Sequence, residues 1–180
     1  MRDIKRAIVI LLAFVVLMFS VLCYYLSSLS LAEQITYADT STNSYPISWL
    51  TVEILSHGTP SETEINFLNH QAAARWIAAL PDVALSQQIM QHLQASGLDI
   101  DSHEQLTGTG WTALHAAAVG EETETVRRLL NFGADPDVPD INGLTPLDLI
   151  TQIQQEHPER HYRLIQQMLE AAAEQQHSFP

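Results

Sequence analysis

Apolar positions are distributed in three ways along the chain. From Ala7 to Leu26 (AIVILLAFVVLMFSVLCYYL) twenty consecutive positions carry no charge. As a helix that run reaches about 30 Å, the thickness of a bilayer core. Between Glu33 and Thr59 polar residues dominate, notably ADTSTNSYP, without helical periodicity at the start. After Pro60, apolar residues return at three- and four-residue intervals. Ile65, Leu68, Ala72, Trp76, Ile77 and Leu80 predict one helix, announced by the capping-box pair Ser61 and Glu64 and ended by Pro81. Leu85, Ile89, Met90 and Leu93 predict a second, from about Ala84 to Ala95, stopped at Gly97. Ala113, Ala116, Ala117 and Ala118 mark a short helix of small residues, and Val126, Leu129 and Leu130 the stripe of the next. A further helix extends through about Gln155, and Pro158 opens a final one carrying Tyr162, Ile165, Met168 and Leu169. The pattern predicts an all-α protein of paired helices preceded by one transmembrane helix.

The flanks of the apolar run set its orientation. Residues 1–6 hold Arg2, Lys5 and Arg6, and no basic residue follows until Arg75. The expected topology is a signal anchor over residues 7–26, N-terminus inside and the remainder outside. Tyr24 and Tyr25 stand where an interfacial aromatic pair would anchor the outer end. Ser30-Leu31-Ala32 before Glu33 has the small-x-small form of a signal-peptidase site, so cleavage after Ala32 stays open. The run exceeds the usual h-region length of about 7–15 residues, which favours an uncleaved anchor. Leu22 occupies the place where a lipoprotein has a small residue before its cysteine. Cys23 is the single cysteine, so no intramolecular disulfide is possible. Residues 27–60 form a stalk and linker. Ser48 to Ser56 (SWLTVEILS) is compatible with a short strand or helix lying on the first repeat.

One spelling recurs. Gly110-Trp111-Thr112-Ala113-Leu114-His115 is followed 33 residues later by Gly143-Leu144-Thr145-Pro146-Leu147, with Leu129-Leu130 and Gly133-Ala134-Asp135 between. Leu98-Asp99-Ile100-Asp101 echoes Ala134-Asp135-Pro136-Asp137. This period and vocabulary resemble the ankyrin repeat. The resemblance is closest over residues 108–150 and extends over 61–175. It implies a solenoid of about three helix pairs: a degenerate first repeat at 61–104, the best at 107–139 and a capping repeat at 140–175, with a frayed tail at 176–180. Gly120 falls one position early, Asp137 stands where Asn is usual, and Asp148 where His would be. Thr112 is placed to cap its helix and Gly133 to supply a left-handed C-cap. The polar last helix suits the end of a stack.

Charge narrows the partners. The chain has a formal net charge of -13, and from Glu33 onward 5 Arg face 20 acids, a net of −15. Such a surface repels nucleic acid and anionic lipid and favours a basic partner or plain solubility. Glu121-Glu122-x-Glu124 sits where carboxylates meet the positive end of a helix dipole, with Glu124 spaced to pair with Arg128. By the resemblance, His115 bonds to backbone in the turn between repeats. His157 and His161 are four apart, but Pro158 makes His157 a cap, and a third zinc ligand is not evident. Asp135-x-Asp137-x-x-Asp140 lacks the glycine and terminal Glu of a calcium loop. No phosphate loop and no catalytic motif is spelled, so the expectation is no enzyme, no cofactor and no metal.

The resemblance implies a protein-binding module that works through its finger tips and inner-helix face. Repeat position puts Trp111, His103, Glu104, Val119, Gly120, Ile141 and Leu144 on that surface. Trp111 is either an exposed anchor or packed on the extra residues Gln105 to Thr109. The expected role is a membrane-tethered scaffold or regulator of an envelope protein, periplasmic in a bacterium. The alternative is an acidic inhibitor or immunity-type protein that neutralises a basic toxin or enzyme.

Overall fold

The computed structural model describes residues 2–30, 33–35 and 58–178, in two units split after Gly58. In the first, helix α1 runs from Arg2 to Ser27 and covers the apolar run. Side chains of α1 are described from Phe14 on. The Ser20 hydroxyl inside the run donates to the Val16 carbonyl at 2.9 Å, which satisfies it within the helix. Among the described residues no helix is long and apolar enough to cross a membrane; of the expected span over residues 7–26, the side chains of residues 7–13 lie outside those described. The cleavage point after Ala32 and the segment Ser48 to Ser56 also lie outside the described residues.

The second unit holds α2 (Glu62–Asn69), α3 (Ala74–Ala78), α4 (Val83–Ala95), α5 (Ala113–Val119), α6 (Thr123–Asn131), α7 (Pro146–Glu156) and α8 (Arg163–His177). No strand occurs among the described residues. Helices α3, α5 and α7 are the inner members of three successive pairs, with α4, α6 and α8 outside them; α3 packs on α5 and α5 on α7. Small side chains permit this close stacking. Ala73, Ala74 and Ala78 are buried in the first pair, and Ala113, Ala117 and Ala118 in the second. Met90, Leu93, Val126, Leu129, Ile165 and Leu169 close the core from the outer helices. Caps set the starts. Thr112 and Thr145 accept from the amides of His115 and Asp148, and Pro146 begins α7, where its missing N–H is no loss.

The single helix expected over 61–80 is two helices. The Ser61–Glu64 capping box is present, but α2 stops at Asn69 and Ala72 adopts a left-handed φ of 48°. Leu68 accepts from the Ala73 amide across the break, and Asn69 ties α2 to the far end of the first pair through Gly97 O and the Asp99 amide. The break lets α3 stack on α5 while α2 docks elsewhere. It also rotates the register: α3 buries Ala74, Ile77 and Ala78 and turns Trp76 outward.

The last helix begins at Arg163 rather than after Pro158. Residues 158–162 stay out of the helix because Arg160 Nη1 and the Tyr162 hydroxyl both donate to Val119 O, at 3.0 and 3.2 Å. His157 caps the end of α7 and pairs with Glu159. The tail expected to fray from residue 176 continues α8 through His177.

The early glycine has a structural counterpart. Gly120 is right-handed at φ −73°, and Glu121 takes the left-handed position at φ 58°. Its carboxylate meets Arg160 at 3.4 Å. The acidic cluster therefore ties repeats together rather than only serving α6, since Glu122 also pairs with Arg75. Gly133, at φ 95°, has open space around a notional Cβ, so only backbone strain opposes a side chain there. Gly133→Val is expected to cost about 1–2 kcal/mol, read as a fall of a few degrees in the thermal unfolding midpoint. An unchanged midpoint would refute the left-handed cap.

Candidate partner-binding groove

Two fingers project from the inner-helix edge, and they differ in length. In the second, the Asp140 amide donates to Leu144 O at 2.8 Å, leaving three residues in the tip. In the first, the Glu104 amide donates to Trp111 O at 2.8 Å, with six residues between. Trp111 and Leu144 both precede a capping threonine, so they are equivalent and the first finger is longer by three residues. An acid at each base organises the tip. Asp140 Oδ1 accepts from the amides of Asn142 and Leu144 at 2.8 and 3.0 Å. Burial raises its affinity for a proton, but these amide bonds outweigh that and hold it below the usual carboxylate range. The Glu104 carboxylate accepts from the Leu106 amide, from the Thr107 amide and hydroxyl, and from the Thr109 hydroxyl. The Thr107 hydroxyl is the main reason its carboxyl is held low. The Gln105 amide donates to His70 O at 3.0 Å, fastening the long finger to the α2–α3 break.

Beside this finger lies a groove of about 550 Å³. Ala116 and Val119 of α5, the Gly120 that follows it, and Ala72 and Trp76 of the first repeat form its floor and side. Leu106, Thr107, Thr109 and Trp111 of the long finger form the opposite wall. Leu106 is 75% exposed and Trp76 40%. The groove's two charged lining residues are both satisfied: Arg75 makes a bidentate pair with Glu122, and Glu104 is saturated by the finger. The groove is thus largely apolar, with Arg75 paired and the Glu104 oxygens already occupied, a form suited to apolar contact. Two further clefts, of about 470 and 340 Å³, lie between α6 and α8 and between α4 and α6.

Of the seven residues expected at the surface, Trp111, Glu104, Val119 and Gly120 come together in the groove. The other three do not. His103 Nε2 bonds Pro139 O at 2.9 Å and links the two finger bases. Ile141 is 68% exposed on the second finger, and its Cγ2 would lie 2.3 Å from a Cβ on Gly110, which is why that residue must be glycine. Leu144 gives its carbonyl to His115. Trp111 is half-buried: its amide donates to the Thr109 hydroxyl at 3.4 Å and the residue lines the groove. Sequence reasoning missed Trp76 and Leu106. Matching Ala73-Ala74-x-x-Ile77-Ala78 to Ala113-Leu114-x-x-Ala117-Ala118 would have found Trp76, because it then falls opposite the half-buried groove residue Ala116.

His115 is fully buried and holds the repeats in register. Its Nδ1 accepts from the Thr112 amide at 3.2 Å, so Nε2 carries the proton and donates to Leu144 O at 2.9 Å. Asp148 keeps the capping half of this arrangement in the third repeat. Three pairs, a threonine-histidine cap and left-handed turn glycines define one architecture, and a family model of ankyrin repeats in three copies matches residues 76–176. The chain belongs to the ankyrin repeat family.

Relatives share the repeat only. The chain is 42% identical over 65 residues to potassium channel AKT3 of Oryza sativa subsp. japonica, covering 36% of this chain and 6% of the channel. It is 28% identical over 116 residues to ankyrin repeat and SAM domain-containing protein 6 of Danio rerio, covering 61% and 16%. It is 37% identical over 65 residues to the ARF GTPase-activating protein GIT1 of Homo sapiens, covering 36% and 8%. The chain thus spans under a fifth of each relative. No solved structure gives a significant match. As ankyrin repeats, residues 76–176 are a protein–protein interaction module.

Two measurements follow from this geometry. Burial depresses the proton affinity of His115, only partly offset by its bond to Leu144 O. The unfolded imidazole takes a proton below about pH 6.5 while the folded one resists it. This group's contribution is therefore fully present above that pH and is lost as pH falls through it. Thermal unfolding of the wild type should lose more stability from pH 7.5 to 5 than His115→Asn does; parallel curves would refute it. Glu104→Ala should speed hydrogen exchange at the Leu106 and Thr107 amides with little change in global stability. Unchanged exchange at those amides would contradict the role given to Glu104.

Proposed function

We propose that this ankyrin protein is tethered to a membrane by α1 and binds a protein partner on its inner-helix groove, as a scaffold or regulator of an envelope protein. The observation that carries the reading is the apolar groove between Trp76 and the long finger, with Arg75 already paired and the Glu104 oxygens already hydrogen-bonded. Large exposed apolar side chains around one cleft are costly in water unless something covers them. The tether is supported by the uncharged run from Ala7 to Leu26 and the basic cluster before it, which together favour the repeats outside, in the periplasm of a bacterial cell. The protein acts by binding, without a catalytic step of its own.

A second reading is favoured by the charge. With 5 Arg against 20 acids beyond Glu33, the repeats suit an inhibitor or immunity-type protein that neutralises a basic toxin or enzyme. Salt separates the two, because surface charge attraction is screened over about 8 Å at physiological ionic strength.

The expected outcome is capture of a specific partner by the solubilised full chain, reduced at least about tenfold by Trp76→Ala or Trp111→Ala. Capture that persists at high salt supports the scaffold; a basic partner lost at high salt supports the inhibitor. Capture unaffected by both substitutions would remove the groove from the function. Protease added to intact cells or spheroplasts should cut the repeats; full protection would reverse the topology.

A further inference from the structure

The two fingers of one chain provide an internal comparison. The second closes after three residues, and the first takes three more and is built around Glu104 for the purpose. The extra length is not a loose loop, because Gln105 is fastened to His70 O on one side and Thr107 and Thr109 to Glu104 on the other. Its product is Leu106, 75% exposed, facing the same cleft as Trp76 and Trp111. Below them the floor is Ala116, Val119 and Gly120, residues too small to fill the space.

We propose that the extended first finger makes the groove a receptor for one large apolar side chain, carried on an extended segment of a partner protein and flanked there by Lys or Arg. The inference rests on the groove being the partner site. The anchor is apolar because Arg75 is already paired with Glu122 and the Glu104 oxygens are taken up by the finger's own donors, so nothing in the cleft is left to fix an ionic group. The flanks are basic because of how this domain uses its cations. It has no Lys, and Arg75, Arg127, Arg128 and Arg160 pair with Glu122, Glu124, Glu124 and Glu121. The remaining carboxylates greatly outnumber the cations, and Glu104 at the groove keeps its charge, so a basic segment is drawn to the domain by its net negative field. The anchor supplies discrimination and the flanks supply attraction.

The test uses the full chain in detergent micelles and three synthetic peptides, read by calorimetry at low and physiological salt. Two are Lys-Lys-Ser-Xaa-Ser-Lys-Lys with Trp or Ala as Xaa, and the third is Glu-Glu-Ser-Trp-Ser-Glu-Glu. The basic Trp peptide should bind about tenfold tighter than its Ala twin, roughly 1.4 kcal/mol, and the acidic peptide should not bind. Leu106→Ser and Trp76→Ala, both at exposed positions, should bring the Trp preference below about twofold while thermal unfolding is unchanged. Equal binding of the Trp and Ala peptides, lowered for both by Trp76→Ala, would overturn the single-anchor inference and leave the groove as the site. Binding unchanged by either substitution would overturn the groove itself. An acidic peptide that binds as well as the basic one, or no binding by any peptide, would also overturn the inference.

Discussion

The structure depends on one buried side chain placed between two repeats. His115 accepts from the Thr112 amide on Nδ1 and donates a hydrogen bond from Nε2–H to Leu144 O. The first bond fixes the tautomer and the second uses it, so a helix cap and an inter-repeat tie become a single unit. A repeat of this size has too little apolar surface to be stable alone, and neighbour stacking supplies the rest. The angle of that stacking determines where the fingers stand. His115 therefore bears on the groove without lining it.

Around that centre, beside the ion pairs of Glu121 and Glu122, several ties follow one rule, in which side chains reach backbone carbonyls of the neighbouring repeat. Arg128 donates to Ala78 O and Leu80 O, Gln94 to Phe132 O, and Arg160 and Tyr162 to Val119 O. Phe132 O follows the outer helix α6, and the other carbonyls sit at or near the ends of short inner helices; at both kinds of end the last few carbonyls have no partner within the helix. Short inner helices thus create acceptors, and the longer reach of Arg and Tyr satisfies them. In a chain so acidic, this use of the few cations leaves the outer surface strongly negative.

The two fingers show how local chemistry sets surface shape. Each is closed by one backbone bond and ordered by one acid at its base. Asp has the reach for a three-residue tip, whereas the six-residue tip uses Glu with the hydroxyls of Thr107 and Thr109. At Gly110 the fingers approach so closely that Ile141 occupies the space of a Cβ. The long finger is held from both sides, which gives Leu106 a defined place over the groove.

Much of this was determined by the sequence itself. The 33-residue echo of Gly-x-Thr-x-Leu, the alanine face of α5 and the caps at Thr112 and Thr145 are local signals, and local hydrogen bonds act on them directly. Four groove residues were legible because their repeat positions follow from those caps. What the tertiary structure decided was register and approach. The apolar periodicity from Ile65 to Leu80 reads as one helix, because a break at Ala72 preserves the spacing while changing the face. Only the need to stack α3 on α5 places that break, and it turns Trp76 from core to groove. The left-handed turn position likewise falls on Glu121 and not on the early Gly120, with Arg160, some forty residues away in sequence, meeting the Glu121 carboxylate. Leu106 lay in an insertion with no periodicity to read, and its position comes from Glu104 and His70 through bonds that no local pattern encodes. Local bonding fixed the repeats, and contacts between repeats fixed the surface they present.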